Sequence, residues 1–182
     1  MSGGEIRTTR LTLRPATPAT LEAALGGAGR LGPALGAMIP ATWPPEFVDD
    51  AALRWTLARL TAHPDEAAWW MYFVLLVQDG APPLLAGTAG YKGPPDADGT
   101  VEVGYGIVAE RHREGLATEA TRALIRRAFG RPGVRRVIAE TLPALVPSIG
   151  VMRKCGMVLA PDPSEPGIVR FELSRDAFSS RS

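Results

Sequence analysis

The sequence predicts a single mixed α/β domain, and three observations carry that prediction. Strand-like and helix-like periodicities alternate along the chain in the order β α α β β β α β α β β. No linker is long enough to divide it, so residues 1–182 read as one domain. Of the 182 residues, 46% are hydrophobic. A chain of this length buries roughly 70% of its unfolded surface and needs no disulfide or metal to hold a core.

Each element has a local cause. Ile6 to Arg14 alternates as a strand, with Leu11 and Leu13 on one face and Thr12 and Arg14 on the other. Thr17-Pro18 opens a helix that runs through Leu25, because proline suits the first turn, and Gly26-Gly27 end it. Residues 26–50 are rich in glycine and proline and read as loop; Trp43-Pro44-Pro45 cannot continue a helix. Asp49-Asp50 cap a helix over residues 51–61, with Leu53, Leu57 and Leu60 at helical spacing, and His63-Pro64 stop it. Three strands follow: Trp70 to Val77, ended by Asp79-Gly80; Leu84 to Tyr91; and Val101 to Val108. The third sets Val101, Val103, Tyr105 and Ile107 on one face and Glu102, Gly104 and Gly106 on the other, where a ligand can approach the backbone. Leu116, Ala120, Leu124 and Ala128 mark a helix ended by Gly130-Arg131-Pro132-Gly133. A strand over residues 135–141, a helix over 147–154 and closing strands at 158–159 and 168–173 complete the chain.

Composition excludes several classes of function. Twenty Lys+Arg against nineteen Asp+Glu leave a formal charge of +1, which argues against a nucleic-acid binder or a polybasic membrane-surface protein. Cys155 is the lone cysteine, so an internal disulfide and a multi-cysteine metal site are excluded. His63 and His112 are too few for a histidine-built metal centre, and no metal is expected. Met1-Ser2-Gly3-Gly4-Glu5 lacks the basic and apolar stretches of a signal peptide. The longest apolar run, Trp69 to Val77, is far short of the roughly 20 residues a membrane span needs. The expectation is a soluble, cytoplasmic protein without a membrane partner. The chain contains no asparagine, a single glutamine (Gln78), and only two lysines, Lys92 and Lys154.

Few motifs carry chemistry. Gly27 to Gly32 matches G-x-G-x-x-G, but it follows a helix and runs into Pro33, so it lacks the strand–turn–helix setting of a dinucleotide site and reads as flexible loop. No phosphate-binding G-x-x-x-x-G-K-S/T run exists. Arg111-His112-Arg113-Glu114-Gly115 sits between a strand and a helix start, where free amides and arginines suit a pyrophosphate. A solvated basic helix start is the equal alternative. Glu102 is either a carboxylate aimed into a cleft, suited to accept a proton from an ammonium substrate, or one arm of an ion pair. Ser148, just inside a helix start, suits capping; Cys155 suits a small buried hydrophobe. Trp69, Trp70, Tyr72 and Phe73 read as strand packing, although Trp43 and Trp69 could line a pocket.

Glu102 to Ile107, followed by His112-Arg113-Glu114-Gly115-Leu116-Ala117-Thr118-Glu119-Ala120, resembles the acetyl-CoA motif of the GNAT N-acetyltransferases. The branch it most resembles includes the ribosomal-protein N-acetyltransferases. His112, Gly115 and Ala117 occupy places of the pattern Q/R-x-x-G-x-G/A. Thr9 to Arg14 is similar to the family's opening strand, and Thr141 to Met157 to its fourth-helix region. The resemblance spans nearly the whole chain. It implies a GNAT-like α/β (α+β) fold: a central mixed, mostly antiparallel sheet of about six to seven strands flanked by about four helices.

The resemblance also implies an activity, the transfer of an acetyl group from acetyl-CoA to a primary amine by direct attack in a ternary complex. The acceptor classes are a protein N-terminus, an amino acid or a small amine. Residue by residue, the Ile107 backbone would bond the pantetheine arm, and the segment His112, Arg113, Glu114, Gly115, Leu116, Ala117 and Thr118 would hold the pyrophosphate. Glu102 takes the place of a general base, and Ser148 lies where it could protonate the departing thiolate. His112 replaces the usual Gln or Arg, Leu145 stands in place of an asparagine, Gly150 of an arginine, and Met152 of an acid tyrosine. Leu145 and Gly150 motivate the alternative of a catalytically impaired acyl-CoA-binding sensor or interaction module. Homodimers are common in the family. Acceptor choice should rest on residues 26–65 and the loop from Pro161 to Gly167.

Overall fold

In chain order the structure, a computed structural model, runs β1 (Ile6–Arg7), β2 (Leu11–Pro15), α1 (Pro18–Leu25), α2 (Ala28–Leu35), α3 (Asp50–Ala62), β3 (Met71–Leu76), β4 (Leu84–Tyr91), β5 (Thr100–Ile107), α4 (Leu116–Phe129), β6 (Arg136–Thr141), α5 (Val146–Lys154), β7 (Val158–Ala160), β8 (Val169–Ser174) and α6 (Arg175–Ser179). Short 3-10 turns cover Pro64–Trp69 and Ala109–Arg111. Residues 4–180 are described, so Met1 to Gly3 of the signal-peptide reading lie outside them.

The expected class holds, with more elements than the sequence announced. Among the described residues one sheet of eight strands, in the order β1-β2-β3-β4-β5-β6-β8-β7, stands where about six to seven were expected, and six α-helices where about four were. All neighbouring strands pair antiparallel except β5 and β6, which are parallel and joined through α4. The first expected strand divides into β1 and β2, which pair antiparallel with Ile6 opposite Leu13.

The reading of residues 26–35 as flexible loop is corrected. Ala28–Leu35 is helix α2, despite Gly29, Gly32 and Pro33. Local propensity disfavours that helix, but Leu31 and Leu35 are 0% and 2% exposed in the core beneath it, and burial outweighs propensity. Asp49 caps α3 by accepting from the Ala52 amide, and Thr17 caps α1 by accepting from the Thr20 amide, as their residue types require.

Two cores sandwich the sheet. One sets α4 and α5 against the Val101, Val103 and Ile107 face of β5, with Leu116, Ala120, Leu124 and Ala128 all buried as their spacing predicts. The other packs α1–α3 on the opposite face around Leu21, Leu53, Leu60 and Phe73. Trp43 lies tilted against Phe73 at the second core and Trp69 meets Tyr91 edge-on at the first, so both are aromatic packing. Among the described residues no helix is long and apolar enough to cross a membrane.

Candidate functional site

The sheet splits where β5 and β6 part. Their parallel pairing covers only Thr100–Glu102 against Arg136–Ile138; beyond it β5 stays with β4, and β6 stays with β8. Lys92 N donates to Glu102 O and Val108 N to Ala86 O, so the even-numbered residues of β5 spend their backbone groups on β4. By strand alternation, those of Tyr105 and Ile107 point into the gap left by β6. Gly87, at φ 155°, lies in β4 just past a register shift between Val74 and Leu75; a side chain there would collide with the Gly106 carbonyl. A glycine therefore sets how closely β4 and β5 approach at the gap.

The gap ends on the start of α4. Gly115 is its N-cap at φ 78°, a left-handed conformation that favours glycine, and no side chain caps the helix. The first amides of α4 lack intrahelical acceptors and carry the positive end of the helix dipole. Arg113 is also left-handed at φ 65°, and the buried Arg111 Nε has no hydrogen-bond partner among the described residues. Free amides, an orphaned guanidinium nitrogen and a helix dipole suit an anion. His112 serves the loop: its Nε2–H donates to the Ile107 carbonyl at 2.8 Å, fixing the turn that leaves β5.

Glu119, in the first turn of α4, anchors this start to the loop before β2. It accepts from Thr8 Oγ1 at 2.6 Å, from the Arg10 amide at 2.9 Å and from Arg10 Nε at 2.7 Å. Burial alone would raise this carboxyl, but the Thr8 and Arg10 hydrogen bonds and the Arg10 charge together hold it below its ordinary value. Arg10 Nη1 also donates to the Glu114 carbonyl at 3.0 Å. A depression of about 480 Å³ opens beside the anchor, lined by Gly115, Thr118 and the cations Arg10, Arg122, Arg126 and Lys154.

Ser148 and Glu102 flank the gap from opposite faces of β5. Ser148 does not cap its helix; Leu145 is the N-cap of α5, with no side-chain bond. Instead the Tyr105 hydroxyl donates to the Ser148 carbonyl at 3.0 Å and lies 3.1 Å from Ser148 Oγ. Burial pushes the Tyr105 phenol up to about 12, with the Ser148 bond partly opposing it, so the hydroxyl keeps its proton at neutral pH. The sequence showed Tyr105 only as a core-facing strand residue; its signal was being the one polar-tipped side chain on that face of β5. On the other face, Glu102 pairs with the Lys92 ammonium, a lysine where an arginine partner was the anticipated alternative. Next to it Gly104 faces open space, and Gly106 lies 3.4 Å, from its would-be Cβ, beneath Pro45.

Cys155 is part-buried, with its thiol directed at the Thr118 carbonyl 3.7 Å away. Burial pushes the thiol up to about 11 against the opposing charge of Arg122, which suits an inert packed cysteine. Among the described residues no cluster of His, Cys, Asp and Glu could hold a metal ion.

A sheet split beside a glycine-led helix start makes a cleft suited to an anion-bearing ligand, and comparisons with known proteins say which family carries it. Residues 10–158 match the acetyltransferase (GNAT) domain, and the chain belongs to that family. No curated protein matches the sequence. Among solved structures, a GNAT-family acetyltransferase from Bacillus anthracis is 17% identical, with 94% of this chain and 99% of that one covered at a TM-score of 0.63. The ribosomal L7/L12 alpha-N-protein acetyltransferase RimL, solved with coenzyme A, is 16% identical over 95% of this chain and 99% of that one, at 0.65. The microcin C7 self-immunity acetyltransferase MccE, solved with acetyl-CoA and AMP, is 15% identical over 92% and 93%, at 0.62.

Proposed function

We propose that this chain transfers the acetyl group of acetyl-CoA to a primary amine by direct attack in a ternary complex. The observation that carries the reading is the β5–β6 gap, which runs from Glu102 past the Tyr105 backbone and the Ile107 amide to the uncapped start of α4. The donor set fits the substrate. The amides from Arg113 to Thr118 meet the pyrophosphate, with the arginines of the loop adding charge. The Tyr105 and Ile107 backbone meets the amide-bearing arm. Arg10, Arg122 and Lys154 line the neighbouring depression, which takes the anionic nucleotide end.

The two polar side chains divide the proton traffic. Glu102 accepts a proton from the incoming ammonium on the open Gly104 side. Ser148, hydrogen-bonded to a Tyr105 that stays protonated, supplies a proton to the departing thiolate on the α5 side. Placing the base and the acid on opposite faces of one gap lets the amine enter on one side while the thiolate leaves on the other. Alignment in the gap is a large contribution; oriented reactants recover roughly 7–11 kcal/mol of barrier. No covalent intermediate on the chain is required, consistent with an inert Cys155.

Release of free thiol from acetyl-CoA, measured with a panel of N-terminal peptides, amino acids and small amines, tests this. Amine-dependent release is expected. Tight CoA binding without release on any amine would overturn the enzyme reading in favour of an acyl-CoA-binding module, which the loss of an asparagine at Leu145 motivates.

A further inference from the structure

The pairing of Lys92 with Glu102 follows from strand register. Tyr91 lies opposite Val103, and the Lys92 amide donates to the Glu102 carbonyl at 2.9 Å, so the two side chains are direct cross-strand neighbours. Tyr91 points toward α4 and bonds the Leu124 carbonyl, so Lys92 projects to the opposite face, beside open Gly104. The Lys92 ammonium touches Glu102 Oε1, a buried atom with no hydrogen-bond partner of good geometry. The group that an acceptor ammonium would meet is thus already in contact with an ammonium of the chain itself.

Residue choice sharpens this. Eighteen of the twenty basic residues are arginines, and an arginine would hold a carboxylate more firmly through its two-pronged geometry. An arginine stays charged, whereas a lysine amine that gives up its proton is a nucleophile. The Lys92 side chain is 61% exposed against 21% for Glu102, so its four-carbon stem is free to swing over the open slot at Gly104, where a side chain would meet nothing within 4 Å.

We infer that Lys92 is an internal acetyl acceptor, modified in cis when no amine substrate is present. The inference rests on the acetyltransferase reading above. The Lys92 ammonium gives one proton to Glu102, and the freed amine forms an N–C bond to the thioester carbonyl carbon. The C–S bond breaks and its electron pair leaves with sulfur as thiolate. The second nitrogen proton balances that thiolate to free CoA thiol, and Glu102 returns its proton to water. The product is a neutral amide, which no longer competes for the Glu102 carboxylate.

Peptide mass spectrometry after incubating the full chain with acetyl-CoA and no amine tests this, with the same lysine in the urea-unfolded chain as the reference. Acetylation of Lys92 in the folded chain is expected to outpace that in the unfolded chain by roughly a hundredfold, the scale of a positioned general base. Its rate should be independent of protein concentration, and Glu102→Gln should slow Lys92 in the folded chain while leaving the unfolded chain unchanged. Acetyl phosphate, which lacks the CoA handle, should show no such preference. Lys92→Arg should abolish the modification with an unchanged melting temperature. Equal rates in the folded and unfolded chain, a rate that climbs with protein concentration, the same preference with acetyl phosphate, or an unmodified Lys92 each overturn the inference. Amine-dependent thiol release from a chain whose Lys92 stays unmodified overturns it alone. Absence of CoA binding by calorimetry overturns the reading beneath it as well.

Discussion

In the proposed reaction a single hydroxyl–hydroxyl contact, Tyr105 to Ser148, sets the role of the acid. The contact spans β5 and α5, 43 residues apart in sequence, so neither residue type nor spacing announced it. Ser148→Ala is expected to lower kcat roughly a hundredfold, the contribution of a positioned acid, with KM for acetyl-CoA unchanged. Tyr105→Phe keeps the ring and loses the hydroxyl, and should lower kcat by less while leaving the amine KM where it was; steady-state kinetics with a single amine separates the two. Two carboxylates hold the flanks of the site. Glu119 anchors α4, and Glu140 accepts from Ser164 at 2.8 and 2.6 Å and from Arg170 at 2.7 Å, pinning the 161–167 loop. Burial would raise Glu140 too, but the Ser164 bonds and Arg170 hold it below its ordinary value, as Thr8 and Arg10 do for Glu119. Their stabilising contribution is present above the unfolded value of 4.5 and is lost as pH falls below it, because the unfolded chain then binds protons that the folded one resists. A urea titration series should show stability falling below that pH, and Glu119→Gln should make the fall shallower.

At the scale of elements, the slot over Gly104 gives the sharpest prediction. A Cβ there meets nothing within 4 Å, so Gly104→Val should leave the fold intact to within about 1 kcal/mol. The same side chain fills the slot beside Glu102. Amine KM should rise in steady-state kinetics while acetyl-CoA affinity, read by calorimetry, stays the same. Elements with strong local signals were legible in the sequence almost to the residue: β4 over Leu84–Tyr91 falls between the turn signals Asp79-Gly80 and Gly93-Pro94-Pro95, and α4 starts at Leu116 where i, i+4 spacing puts it. Helix α2 was not legible, because its glycines and proline oppose helix locally, and what stabilises it is contact between Leu31, Leu35 and a core assembled from distant strands. Helix α6, five residues long and capped by Ser174, is too short to show a period. The candidate site divides the same way. The loop from Arg111 to Gly115 and the glycine face of β5 were visible as local pattern. The Lys92–Glu102 and Tyr105–Ser148 pairs were not, since each needs the register or the helix packing to bring its partners together.

For the whole molecule, the proposed function rests on one interruption in the eight-stranded sheet of the described residues. Antiparallel strands joined by short turns stay paired. Among the described residues the single parallel junction, reached through α4, pairs only three residues of an eight-residue strand with three of a six-residue one, and the rest of the two strands part. The two cores, one on each face, hold the halves of the sheet in place so that the gap stays open at Tyr105 and Ile107. The start of α4, tied down through Glu119, closes its end. Family membership and the fold shared with RimL and MccE agree with that geometry. Residue-resolved amide hydrogen exchange, with and without coenzyme A, tests this account most directly. The account predicts that coenzyme A slows exchange at the Tyr105 and Ile107 amides and across Arg113 to Thr118, and leaves the β7–β8 hairpin unchanged. Unchanged exchange along the gap and the α4 start, or protection confined to another face of the sheet, would contradict it.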